Sequence, residues 1–261
     1  MSDRFYDDIL FDGFGGMLQR HILAYCVTSH RGDKFVFPGF YELIMKKGKN
    51  RWNIESYWEK ILNDMGEDFL HKITHFLNFN EMSNNATPMT WKEVKTQLVL
   101  DESRDYLKRL RKGLLYEAEC YFENKKNVCW HIRTASDVYD NVNEIKNNNR
   151  EIGIPSQKRI NNVIKLAKSK LGDFKLYIIS NDDNLHKKMC IDNCDFEFKL
   201  NDDMLSDLYH MIHADLLICA NSSYSYCAYL LNGHITAIRD NFVMPTFSDS
   251  IFLDANYETK I

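Results

Sequence analysis

The 261-residue chain has no long run of lysine or arginine, and its formal net charge is -4. A chain that follows duplex nucleic acid needs a basic stripe, so nucleic acid is excluded as the main partner. No apolar stretch approaches the roughly 20 residues that cross a bilayer. The first residues, "MSDRFYDDILFDGFGG", are acidic and lack the basic region and apolar core of a secretory signal. The expectation is a cytoplasmic, soluble protein of bacterial or viral type, or one whose anchor lies outside this chain. The seven cysteines are odd in number, and Cys129, Cys219 and Cys227 fall in apolar stretches. They read as buried thiols in a reducing compartment rather than a disulfide framework. "CIDNC" at 190–194 has no second pair of ligands at finger-like spacing, so no zinc site is expected. Walker, G-x-G-x-x-G and G-x-S-x-G motifs are missing too, and no internal repeat is visible.

What is present is hydrophobic rhythm, 44% of residues being apolar. The N-terminal part predicts a short strand at 8–11, a glycine turn "DGFGG" at 12–16, a helix over 17–29 and a strand at 34–38. Between 52 and 122 apolar residues recur every three or four positions, a helical pattern broken by a polar loop at 80–89. From 127 the rhythm alternates. Strands are predicted at 127–133, 174–180, 196–200, 216–220 and 234–239, and helices at 154–171, 183–190, 204–214 and after 223. Pro155 is expected in the first turn of its helix, and the polar tract 143–150 as a surface loop. Strands alternating with helices specify parallel βαβ units. The fold class is α/β, with two halves, 1–125 (an acceptor-side domain with a helical insert) and 126–261.

Open parallel sheets bind ligands outside the carboxyl ends of their strands. Asn221, Ser222 and Ser223 stand between the last buried strand and its helix. They suit a phosphate, although taken alone such residues more often serve as a plain N-cap. His131 and Arg133, two apart on one strand face, offer a guanidinium fork for phosphate, or an Arg–carboxylate pair at a domain boundary and a core histidine next to it. In "SNDD" at 180–183, Asp182 is a carboxylate for a nucleobase or a cap for the next turn. Gly13, Gly15 and Gly16 allow the backbone to come close to a ligand. Arg31-Gly32-Asp33 matches an adhesion tripeptide, which in this chain reads as chance.

The order of these motifs, a glycine turn, H-x-R, S-x-D and N-S-S-x-S before an apolar helix, resembles the fucosyltransferase-like glycosyltransferases of GT-B fold. The α-1,2- and α-1,6-type and protein O-fucosyltransferase relatives are the most similar. The densest likeness is "LNDDMLSDLYHMIHADLLICANSSYSYCAYLLNG" at 200–233. The resemblance implies two Rossmann-like halves, with the nucleotide-sugar site in the C-terminal one. Arg133 would hold the donor's β-phosphate with His131 beside it, and Asn221, Ser222 and Ser223 would meet the pyrophosphate. Asp182 would read the base, and Gly13, Gly15 and Gly16, in the turn that opens the acceptor half, would also be donor-binding. It further implies inverting transfer to a glycan acceptor without a metal or other cofactor, the nucleotide sugar (GDP-fucose or a UDP-sugar) being a co-substrate. Asp12 is the first candidate for the base and Glu42 the second. "HIRTASD" lacks the glycine of H-x-R-x-G-D, and "SND" replaces "SDD". A UDP-pentose such as UDP-xylose as donor, and a GT-B protein that binds a nucleotide or glycan without transfer, therefore stay open.

Overall fold

The computed structural model describes residues 3–6, 14–37, 67–77, 87–114, 122, 125–134, 154–200, 203–239 and 244–259. The chain divides into two compact units, Met1–Glu117 and Ala118–Ile261. The strand expected at 8–11, the loops at 80–86 and 143–150, and the helical pattern of 52–66 lie outside the described residues. No helix among the described residues is long and apolar enough to cross a membrane.

In the first unit, β1 (Asp3–Tyr6) lies between β2 (Lys34–Phe35) and β3 (Thr87–Met89), all parallel. Helix α1 (Phe14–His30) starts three positions before the expected Met17, so Gly15 and Gly16 belong to its first turn instead of a preceding loop. The first N–H groups of a helix have no internal partner in any case, which makes this turn tolerant of glycine. Leu18, Ile22, Leu23 and Val27 are buried, and so are His21 and Thr28 on other sides, so α1 is a core helix. The His21 ring packs edge-on against Tyr6 at 5.2 Å and Phe37 at 5.1 Å. Gly32 takes φ +74 just past α1, where a side chain would be strained. Arg31 reaches across to Glu93 at 2.8 Å, and the Asp33 N–H donates to Thr28 O at 3.0 Å. The Arg-Gly-Asp tripeptide is thus the helix's stop signal. Strand β3 occupies part of the expected 80–89 loop. Pro88 fits there because β3 is an edge strand, where a missing N–H breaks no ladder. Helices α2 (Glu67–Leu77), α3 (Trp91–Gln97) and α4 (Arg104–Lys112) complete this unit's described elements.

The second unit holds the doubly wound parallel sheet that the alternation predicts. Its strands are β4 (Lys126–His131), β5 (Phe174–Ser180), β6 (Asp195–Leu200), β7 (Leu216–Ile218), β8 (Ile235–Arg239) and β9 (Ile251–Leu253). Their spatial order is β6-β5-β4-β7-β8-β9. The chain moves outward from β4 to β6, crosses back to β7 on the other side of β4, and moves outward again. The order therefore reverses between β4 and β7. β9 is absent from the sequence-based expectation, because three apolar residues between polar ones carry no readable period.

Strand alternation sorts the side chains. Val128, Trp130 and Ile132 face the cluster built with Ile160, Val163 and Ala167 of α5 (Gln157–Leu171). Each such fully buried aliphatic side chain contributes about 1.5–3 kcal/mol. Cys129 and His131 face the other way, toward α6 (Met204–His213) and α7 (Ser223–Leu231). Ser156 caps α5 by accepting from the Arg159 N–H at 3.5 Å, so Pro155 precedes the cap rather than joining the first turn. The helix expected over 183–190 shrinks to one tight turn, Leu185–Lys187. There Asp182 and Asn184 bind neighbouring groups in place of a helical ladder.

Candidate functional site

Strand order reverses between β4 and β7, and in open parallel sheets the carboxyl ends of the strands at such a reversal are where ligands bind. The register Trp130↔Ile218 aligns the two strands where they end. His131 and Arg133 therefore leave β4 beside Cys219, Ala220 and Asn221 leaving β7. Pairing persists slightly past each strand, with Ile132 N–H on Ile179 O and Cys219 N–H on Ala237 O, both at 2.9 Å.

The turn into α7 is tightly tied. The Ser222 N–H donates to Ala220 O at 2.8 Å, and its hydroxyl oxygen accepts from the Tyr224 N–H at 3.3 Å. Ser225, fully buried, donates its hydroxyl to Ala220 O at 3.1 Å. Ser222 is thus the N-cap, itself buried, and Ser223 is the first residue of the helix, part-exposed. Of the two serines, Ser223 presents its N–H and hydroxyl at the helix's positive end. Asn221 stands part-exposed before it. Tyr224 and Ser225 do not figure among the sequence-predicted residues. Ser225 closes the N-S-S-x-S motif and Tyr224 fills its open position, but the backbone they clamp is visible only in the fold.

Tyr224 joins the two strand ends. Its ring meets the His131 ring edge-on at 5.7 Å, and its hydroxyl donates to the carbonyl of Met204 at the start of α6. His131 is buried, and its Nδ1 has no hydrogen-bond partner among the described residues. Burial, and then the Arg133 guanidinium, push its pKa down to about 3. The imidazole is therefore neutral at physiological pH. Arg133, part-exposed, and the N-terminal end of α7 give this edge a positive character suited to an anion.

Asp182 follows β5, the neighbour of β4, so it sits on the same carboxyl edge one strand away. One of its oxygens accepts from the Asn184 N–H at 2.9 Å, and the other faces Lys188 Nζ at 3.4 Å. It braces the following turn in this state. Gly15 and Gly16 lie buried in the first turn of α1, in the other compact unit. Asp12, Gly13 and Glu42 lie outside the described residues. Among the described residues, no group of three His, Cys, Asp or Glu is placed to hold a metal ion.

No protein-family model matches the chain, and no curated protein matches it by sequence. Solved structures are similar over most of its length. POFUT1 in complex with GDP is 14% identical at a TM-score of 0.45, covering 93% of this chain and 98% of its own. POFUT1 in complex with GDP-fucose is 13% identical at a TM-score of 0.44, with 91% and 97% covered. The fucosyltransferase NodZ from Bradyrhizobium is 13% identical at a TM-score of 0.39, with 88% and 94% covered.

Proposed function

We propose that the protein is a glycosyltransferase of GT-B type that binds a nucleotide sugar at the carboxyl ends of β4 and β7 and moves the sugar to a glycan acceptor. The observation that carries this reading is the contact between His131, two residues before Arg133, and Tyr224 of the Ser222-capped helix α7, where strand order reverses. The motif order in the sequence adds the sugar, with GDP-fucose as the favoured donor.

In this reading, the Arg133 fork grips oxygens of the β-phosphate. The Ser223 N–H and hydroxyl and the α7 end take the rest of the diphosphate. Ser222 holds the turn that aims them, and Asn221 lines its approach. Neutral His131 supplies a ring nitrogen to the ligand, relieving the cost of a buried polar atom left unpaired. Asp182 turns from its brace to accept from the base. Gly13, Gly15 and Gly16 line the acceptor half.

Transfer then proceeds with inversion. Asp12, or failing it Glu42, takes the acceptor hydroxyl proton. The acceptor oxygen bonds to the anomeric carbon as that carbon's bond to the diphosphate breaks, and the electron pair leaves with the phosphate. Arg133 and the fixed dipoles of α7 meet that growing charge, the task a metal performs in other transferases.

The test is a thermal-shift panel of GDP, UDP, GDP-fucose and several UDP-sugars on wild type and Arg133→Ala. A ligand at about 100 times its Kd stabilises the fold by roughly 2.7 kcal/mol, a readable shift. A shift with one nucleotide that is lost in Arg133→Ala supports the site and fixes the base. Release of free nucleotide only when an acceptor glycan is added then reports transfer. A panel with no shift overturns the reading.

A further inference from the structure

Strand β6 ends the six-stranded sheet and pairs, among the described residues, with β5 alone. Its outer row of peptide groups is a template for another strand. Sheet edges are commonly blunted by proline, a bulge, shortness or charged side chains. β6 is six residues long without proline or glycine, and its charges Asp195, Glu197 and Lys199 are the one such device it has, so a partner strand must match them. Its two faces differ in chemistry. Phe198 and Leu200 pack against the core cluster, and Phe196, 38% exposed, meets the Phe198 ring at 5.7 Å. On the opposite face Glu197 takes Lys175 at 3.0 Å and Lys199 at 2.5 Å.

Among antiparallel registers that pair at least three residues of Asp-Phe-Glu-Phe-Lys-Leu with a second copy, one alone matches both faces and charges. Residues directly opposite share a face, so registers that set Glu or Lys against Phe fail on polarity. Of those that keep the faces matched, centring on Glu197 opposes Glu197 to itself. Centring on Lys199 opposes Lys199 to itself, and centring on Phe196 sets Asp195 against Glu197. Centring on Phe198 gives Glu197 against Lys199 twice, Phe196 against Leu200 twice, and Phe198 against Phe198. No like charges meet.

We propose that a second copy of this chain docks on β6 in that register, about a two-fold axis through Phe198, joining the two sheets into one. The interface is isologous, so both ion pairs and both apolar pairs occur by symmetry. The inference is independent of the nucleotide-sugar site and stands or falls apart from it.

Sedimentation velocity of the full chain over a concentration series tests it, on wild type, Lys199→Glu, Glu197→Lys and an equimolar mixture of the two variants. Wild type is expected to dimerise with rising concentration. Each single variant opposes two like-charge pairs and weakens dimerisation about tenfold or more. The mixture restores dimers, because Glu197 and the new Glu at 199 of one copy meet the new Lys at 197 and Lys199 of the other. Glu197→Lys places a lysine beside the buried Lys175, so circular dichroism checks each fold. Lys199→Gln, which removes attraction without adding repulsion, supplies an intermediate dimer affinity that does not depend on that variant. A wild type that stays monomeric throughout the series, or a folded Lys199→Glu that dimerises like wild type, overturns the proposal.

Discussion

Replacing His131 with glutamine should flatten the acid side of this protein's stability profile. Burial and Arg133 hold the His131 pKa at about 3 in the folded chain, against 6.5 in the unfolded chain. Between those values the unfolded state binds the extra proton, so stability rises with pH. The contribution is fully present above about pH 6.5 and is lost progressively as pH falls toward about 3. At pH 5 the unfolded-state gain is about 1.5 pH units at 1.36 kcal/mol each, or about 2 kcal/mol. His210, also buried and held at about 4, follows the same sign in the same unit. Together the two remove about 4 kcal/mol between neutral pH and pH 5, against a typical total of about 5–15 kcal/mol. Urea titrations at several pH values, followed by circular dichroism and by Trp130, the sole tryptophan of the second unit, measure the loss. His21 of the first unit, also buried and held at about 4, adds a fall of similar size. His131→Gln is therefore expected to lose about a third of the total fall and keep the rest, whatever its own stability at neutral pH. A variant whose stability falls with pH as steeply as wild type refutes the reasoning, because His131 would then not be folded in its neutral form.

Two further substitutions test the frame that holds the site. Ser222→Ala removes the cap that accepts from the Tyr224 N–H and should cost about 1 kcal/mol in urea unfolding, whereas Ser222→Gly should cost only a few tenths. Asp215 accepts from the Asn127 N–H and from Lys126 Nζ, both at 2.9 Å, and so ties the start of β4 to the start of β7. Burial favours its protonated form, but the Asn127 bond and Lys126 outweigh it and hold the carboxyl below its ordinary range. That stability is present above the unfolded carboxylate's pKa and disappears as pH falls through the folded one. Asp215→Asn should therefore cost about 1 kcal/mol at pH 7 and approach zero cost in strong acid, as followed by urea midpoints.

Local signals in the sequence were enough for most elements of the second unit, though not for β9 or for the helix expected over 183–190. The apolar runs that became β4, β5 and β7, the three- and four-residue spacing of α5 and α6, and the small polar residues before α7 each act within a few positions. Those effects of rotamer, cap and periodicity do not depend on distant partners. The carboxyl-edge rule then pointed from those elements to His131, Arg133 and the residues after β7. Where signals were too short, the reading failed, as for three-residue β9 and for β3 with Pro88 inside it.

Only the tertiary structure decided which strands are neighbours, and hence that β4 and β7 flank the reversal of order. It also divided the work between adjacent serines, giving Ser222 the cap and Ser223 the open face, and it put Tyr224 between His131 and Met204. The strand neighbours and the His131–Tyr224 contact rest on partners far apart in the chain, whereas the Ser222 cap is a local bond between residues two apart. Spacing within one segment holds no record of a partner 80 or more positions away, such as Tyr224 for His131 or Asp215 for Lys126.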